Sequence, residues 1–216
     1  MGVFGGSLIR IGIVLACAAA LAGCASTPPQ GATRGPVSDY GVIEDGPYTL
    51  PAVDSAYLQG VNRRASVAYN GPEGPGTIVV DPHAKFLYLV HPGGEATRYP
   101  IAVGREGRGF RGGATVGHKR EWPGWTPTRN MLRAEPEVYG PFARGIPGGL
   151  ASPLGARALY LYRGGRDTFY RIHGTNDMES IGNSGSAGCI RLFNHDIIHL
   201  YDQVSPGAQV VVRTYE

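Results

Sequence analysis

Two residues of this chain have the types and the spacing for covalent chemistry on a carbonyl carbon. Cys189 lies inside Ser184-Gly-Ser-Ala-Gly-Cys-Ile-Arg-Leu192, and His173 opens His173-Gly-Thr-Asn176 a short way upstream. A thiol attacks a carbonyl well only as the thiolate, so a working cysteine needs an imidazole to take its proton. We therefore read Cys189 as nucleophile and His173 as its base. Gly185, Ala187 and Gly188 are small, leaving the backbone able to turn sharply and aim its N–H groups at one point, as an oxyanion hole requires. A buried structural thiol is the alternative, and the polar, glycine-rich flanks argue against it.

The elements that must hold these residues read as strands. Ile78-Val-Val-Asp81, Lys85 to Val90, the turn Pro92-Gly-Gly94 and Ala96 to Val103 are short β-branched or aromatic runs separated by turn residues, the pattern of antiparallel hairpins. A second hairpin runs through Ala158 to Tyr162, Gly164-Gly165 and Thr168 to Ile172, and it puts His173 at the end of a return strand, where neighbouring strands fix its backbone. After Cys189, Ile197, Ile198, Tyr201 and Val204 fall at helical spacing, with Asn194 as the expected N-cap and Ser205-Pro-Gly207 as the stop. Gln209 to Arg213 reads as a final strand. The fold class expected is mainly β with one or two short helices, without the β-α alternation of a doubly wound sheet.

The chain has 216 residues, 42% of them hydrophobic, enough for one globular domain with accessory segments. A net charge of +3 with no basic cluster sets nucleic acid aside as a partner. Residues 1–23 read as a signal peptide: a basic start, an apolar run from Ile11 to Ala22 too short to span a bilayer comfortably, then Leu21-Ala-Gly-Cys24. That tetrapeptide resembles the lipobox of bacterial lipoproteins, which makes Cys24 the expected lipidation site; an ordinary signal peptide with a chance cysteine is the alternative. With Cys17 removed and Cys24 acylated, one thiol is left in the exported chain, an intramolecular disulfide is excluded, and reactivity becomes the reason for Cys189. Residues 24–76, rich in Pro, Gly, Ser and Thr, read as a tether and N-terminal extension. Within it, Val53 to Tyr69 is expected to form a short helix capped by Asp54 or Ser55 that packs on the main domain, residues 77–216.

The motif His173-Gly-Thr-Asn176, followed by Ser180-Ile-Gly182 and Ser186-Ala-Gly-Cys-Ile-Arg191, resembles the catalytic signature of the L,D-transpeptidases, the YkuD-like family. The similarity extends through Gly148-Gly149, Pro153 to Tyr160 and Ile78 to Asp81, covering roughly Thr77 to Arg213. The resemblance implies a β-sandwich catalytic domain, no cofactor and no metal. It implies a two-step acyl transfer on peptidoglycan stem peptides through a thioester on Cys189, forming 3-3 crosslinks or attaching an outer-membrane lipoprotein to peptidoglycan. It also implies that the Gly174 carbonyl orients His173, that Gly188 and Cys189 N–H groups hold the oxyanion, and that Ser186 and Asn176 face substrate. Ala187 stands where many members carry a histidine.

Arg191 either binds a stem-peptide carboxylate or braces its loop. Trp122 and Trp125 fall in a long irregular stretch to Gly149; they shape a substrate groove, with Trp125 the residue assigned to binding, or plug the space under the loop. His195 and His199, at i and i+4, have metal-ligand spacing but no third ligand. Gly104 to Gly109 reads as a connection rather than a phosphate loop. Other readings are a carboxypeptidase or amidase that lets water resolve the thioester, and a non-catalytic peptidoglycan-binding lipoprotein. A sortase fits poorly, because Arg191 lies only two residues from the cysteine. With Ala25 after Cys24, the expected location is the periplasmic face of the outer membrane.

Overall fold

A computed structural model describes residues 1–2, 33–36, 40–104, 109–183 and 189–214 of the protein. Its strands are β1 (Thr33–Pro36), β2 (Ile43–Asp45), β3 (Tyr48–Leu50), β4 (Ala65–Ala68), β5 (Ile78–Asp81), β6 (Phe86–His91), β7 (Glu95–Pro100), β8 (Ala102–Val103), β9 (Gly112–Glu121), β10 (Arg157–Arg163), β11 (Arg166–Thr175), β12 (Ile190–Phe193) and β13 (Gln209–Val212). Helices are few and short: α1 (Arg129–Ala134), α2 (Pro136–Tyr139) and α3 (Asn194–Gln203), with single 3₁₀ turns at Ser55–Leu58, Gly140–Phe142 and Met178–Ser180. The mainly β expectation holds. No helix among the described residues is long and apolar enough to cross a membrane.

Eleven strands form one hydrogen-bonded sheet in the order β1-β4-β7-β6-β5-β13-β9-β10-β11-β12-β8. Strand β9 joins its two halves: Gly112 to Thr115 pair with β13, and Thr115 to Glu121 pair with β10. Strands β7 and β8 lie eight places apart in that order yet are separated in sequence only by Ile101. A chain that leaves one half of a sheet and rejoins its far edge after one residue requires the sheet to curl over on itself, so inward side chains of both halves share one interior. Ile78, Leu87 and Val210 from one half meet Leu159, Leu161, Ile172, Ile190 and Leu192 from the other, with Ile197 and Leu200 of α3 against them. None of these is more than 1% exposed, and truncating one such leucine to alanine costs about 2–5 kcal/mol.

The expected tether ends sooner than Gly76. From Tyr40 onward the extension is folded against the sheet: β4 pairs with β7, and Asp54 caps the Ser55–Leu58 turn through Ala56 N–H, with Leu58 buried. Tyr40 reaches helix α3, where its hydroxyl lies 3.0 Å from both oxygens of the fully buried Asp196, and Arg64 Nη1 lies 3.1 Å from Asp196 Oδ1. Burial pushes the Asp196 carboxyl up, while the Arg64 charge and the Tyr40 hydrogen bond pull it back. The Pro, Gly, Ser and Thr content reads as a tether, yet the stretch is held by strand addition, by the polar pairing at Asp196, and by Tyr40, Val53, Leu58, Val67 and Tyr69 packed among buried hydrophobics.

Candidate active site

Strands β10, β11 and β12 build the wall of a cleft. Strands β11 and β12 are parallel, with Ile172 opposite Ile190 and His173 opposite Arg191. Side chains alternate along extended backbone, so Cys189, two residues before Arg191, is placed on the face that His173 occupies. The Cys189 carbonyl accepts a hydrogen bond from Gly104 N–H at 3.1 Å, continuing the β12–β8 pairing and fixing the backbone at the thiol. Cys189 and His173 both open onto one cavity of about 650 Å³, lined also by Trp125, Met131, Tyr139 and Phe169. A second cavity of about 300 Å³ shares Trp125, Met131, Tyr139 and His173 with the first and adds Asn176, Asp177 and Arg191.

His173 is 4% exposed, and its Nδ1 lies 2.6 Å from the Gly174 carbonyl oxygen. A carbonyl can only accept, so Nδ1 carries the proton and Nε2 keeps its lone pair, the tautomer a general base needs. Burial lowers the imidazole pKa to about 4; the Gly174 hydrogen bond opposes this, and the Arg191 and Arg171 charges add to it. The ring is therefore neutral across physiological pH, and a proton it takes must pass on as the reaction proceeds.

Gly174 has a steric reason as well. A Cβ there would run into Asn194 Oδ1, with Ile197 Cγ2 at 3.0 Å and Ala156 N at 3.2 Å. Asn194, expected as an N-cap, does something else: Oδ1 accepts from Ala156 N–H at 2.8 Å and Nδ2 donates to the Thr175 carbonyl at 3.1 Å. Helix α3 has Phe193 at its N-cap, with no side-chain cap. The amide thus rivets the start of the helix to the entrance of β10 and the exit of β11.

Among the described residues Arg191 braces no backbone carbonyl. Its Nη1 lies 3.0 Å from Asp177 Oδ2, while Nε and Nη2 are buried with no hydrogen-bond partner among the described residues. Arg191 is 8% exposed and lines the second cavity, and a guanidinium with donors still unmade is chemically suited to a carboxylate that reaches them. Asn176 is exposed on the same cavity. Trp125 is half-buried and lines both cavities, whereas Trp122 lines neither and packs on Tyr48. The segment carrying them is less irregular than expected, since it contains α1 and α2. Gly188, Ser186, Ala187, Cys24 and residues 105–108 lie outside the described residues.

Sequence reasoning missed Phe169. It is 75% exposed, has φ of 61°, and its carbonyl oxygen lies 3.9 Å from Cys189 Sγ. It sits in a bulge, because β10 advances two residues from Tyr160 to Tyr162 while β11 advances four from Asp167 to Arg171. The bulge is held by Thr168, whose hydroxyl donates to the Leu161 carbonyl at 2.6 Å and accepts from Tyr170 N–H at 3.2 Å. A bulge re-aims side chains beside active sites, but alternating β-propensity carried no sign of it.

His195 and His199 do not converge. His195 Nε2 meets the Gly41 carbonyl at 2.6 Å and His199 Nδ1 meets the Tyr99 hydroxyl at 2.8 Å.

Residues 75–212 match the model of the YkuD family, the L,D-transpeptidase catalytic domain. The chain belongs to that family. It is 37% identical over 138 residues to a probable L,D-transpeptidase of Escherichia coli, ErfK/SrfK, covering 62% of this chain and 43% of that protein. It is 39% identical over 138 residues to a second from the same organism, YcfS, covering 62% and 42%. The chain thus spans about two fifths of the length of these relatives. A solved structure described as a probable carnitine operon oxidoreductase from Brucella melitensis is 47% identical, covering 74% of this chain and 99% of that one, with a TM-score of 0.51. That description is of the Brucella protein.

Proposed function

We propose that this protein is a cysteine-dependent L,D-transpeptidase acting on peptidoglycan stem tetrapeptides. The observation that carries the reading is the His173 imidazole, held by Gly174 in the base-competent tautomer and opening onto the same cavity as Cys189. As Cys189 sulfur attacks the carbonyl before the terminal D-Ala, its proton passes to His173 Nε2. The C–N bond then breaks, the departing amine takes that proton, and a thioester remains. An acceptor amine attacks the thioester, gives a proton to His173, and the C–S bond breaks; the proton returns to the sulfur. One amide replaces another, so no oxidant, metal or nucleotide is needed. Backbone N–H groups of Gly188 and Cys189 are assigned to the oxyanion, and Arg191, with Asn176, Ser186 and Trp125, to the stem peptide.

The acceptor is assigned as an amine of a neighbouring stem, giving a 3-3 crosslink, or of an outer-membrane lipoprotein. The division into a signal peptide, 1–23, an extension, 24–76, and a catalytic domain, 77–216, belongs to the same reading. So do acylation at Cys24 and a place on the periplasmic face of the outer membrane.

The test is incubation of the chain with purified tetrapeptide muropeptides beside Cys189→Ala, with products identified by mass spectrometry. Crosslinked dimers that have lost D-Ala, absent with the variant, are expected. Tripeptide monomers alone would replace the amine acceptor by water, and identical products with both proteins would overturn the assignment of Cys189.

A further inference from the structure

The roof of the cleft is a long excursion between β9 and β10, and its two ends meet at one place. Trp122, the first residue of the excursion, has φ of 40°, and its Nε1 donates to Asp45 Oδ2 at 2.9 Å. Asp45 also takes both ends of the Arg157 guanidinium, Nη1 to Oδ2 at 2.6 Å and Nη2 to Oδ1 at 2.8 Å. Arg157 is the first residue of β10 and 5% exposed. At the other end of the roof, the Tyr48 hydroxyl donates to the Gly148 carbonyl at 3.4 Å, and the Tyr48 ring lies 4.3 Å from that of Trp122, centroid to centroid. Gly149, with φ of 135°, passes so close to Tyr48 that a Cβ would sit 3.1 Å from the ring and its hydroxyl.

Asp45 and Tyr48 belong to the β2–β3 hairpin, which precedes residues 75–212. Beyond the clamped ends the roof closes once on itself, where Trp125 and Ile146 exchange backbone hydrogen bonds of 2.9 and 2.7 Å. Past that bridge come Met131 and Tyr139, which with Trp125 line both cavities. A loop of this length without a ladder of its own opens locally unless its ends are fixed; the hairpin grips both, beside two bonds between the ends themselves, Trp122 N–H to the Ala156 carbonyl at 2.8 Å and the Ser152 hydroxyl to the Pro123 carbonyl at 2.7 Å.

We propose that the β2–β3 hairpin is a clasp on the roof of the cleft, with Asp45 and Tyr48 as positioning residues that hold Trp125, Met131 and Tyr139 over the substrate. The chemistry at Cys189 is left to the wall, so the clasp acts on binding. This consequence for binding rests on the transpeptidase reading; the mechanical part does not.

The test compares the full chain with Tyr48→Leu, which spares the Asp45–Arg157 pair, and with Asp45→Asn. Amide hydrogen exchange is followed in the roof and in β10 to β12, and KM and kcat are measured on tetrapeptide muropeptides. With Tyr48→Leu, exchange at Trp125 and Ile146 is expected to rise about tenfold or more with β10 to β12 unchanged, and KM to rise several-fold with kcat nearly constant; Asp45→Asn, which also unpairs Arg157 at the start of β10, is expected to raise roof exchange at least as much. Unchanged exchange in the roof overturns the clasp, as does exchange that rises equally in the wall, or a loosened roof that leaves KM where it was. If the unaltered chain turns over no muropeptide, the transpeptidase reading falls, and the exchange data still decide whether the hairpin holds the roof. Should Asp45→Asn fail to fold, Tyr48→Leu decides between these outcomes by itself.

Discussion

In the wall of the cleft, His173 and Arg191 face each other across a parallel ladder, and the Cys189 carbonyl is tied to Gly104 at the edge of the same sheet. In the roof, Trp125, Met131 and Tyr139 ride on two short helices and a single bridge, and side chains from the N-terminal hairpin grip the ends. A ladder positions each residue through the bonds of its neighbours, so its geometry is shared out and stiff. A roof gripped at its ends depends on a few contacts, and substrate can displace it. The difference separates the groups that must meet to within bond-forming distance from those that need only cover a ligand.

The contrast between wall and roof is broken most directly at the base. His173→Gln keeps a buried polar side chain of similar reach but cannot move a proton, and muropeptide turnover is expected to fall by about 10²–10⁴-fold with KM and thermal midpoint little changed. Turnover within a few-fold of the unaltered protein would remove His173 from the chemistry. A steric break of the same wall comes next. Gly174→Ala drives a methyl group toward Asn194 Oδ1 and Ile197, and overpacking of this kind costs about 1–3 kcal/mol. Urea denaturation is expected to show that loss together with reduced kcat, because the Gly174 carbonyl that aims the imidazole and the Asn194 rivet shift together. Retained stability and rate would mean that the wall yields as readily as the roof.

The roof gives a milder response. Trp125 is half-buried with its ring 6.2 Å from Tyr139 and 6.4 Å from Phe142, so Trp125→Ala removes cover from the cavities more than it removes core. KM is expected to rise several-fold while the thermal midpoint stays close to its original value. Equal losses of turnover and stability would assign Trp125 to the plug that Trp122 forms with Tyr48.

The wall was legible in the sequence because it obeys local rules. Ala158 to Tyr162, the Gly164-Gly165 turn and Thr168 to Ile172 announced the hairpin, and its end announced the place of His173. Helix α3 was legible from its period. What escaped was non-local. Asn194 looked like a cap because a side chain beside a helix start usually serves that helix, and nothing in the sequence brings Ala156 and Thr175 to it. Asp45 sits 112 residues from Arg157, in a segment whose Pro, Gly, Ser and Thr content suggested a tether, and Asp177 gave no sign that it would pair with Arg191. Polar pairs buried by tertiary contact leave no periodicity behind them.

The finest test of the wall is its response to acid. Folding takes the His173 imidazole out of water, which lowers its pKa from the ordinary 6.5 to about 4. A base works only while it is unprotonated, so kcat/KM, which follows the uncombined enzyme, is expected to hold through pH 6 and to fall toward pH 4. The contribution of this imidazole to stability runs in the same direction over that interval. Once unfolded, His173 regains a pKa near 6.5 and binds a proton that the folded chain refuses; the half-buried His199, also lowered to about 4, does likewise. Between about pH 6.5 and pH 4 these two side chains bind more protons in the unfolded chain and make stability decline as pH drops, while Asp196, raised by burial to about 7, holds its proton in the folded chain and opposes them. Measuring kcat/KM at pH values where the thermal midpoint shows the protein still folded separates the two effects. An acid limb near pH 6.5 would mean that water reaches the imidazole through the roof and that the wall is less dry than its burial implies; a limb near pH 4 would place the dry environment of the base in the ladder itself.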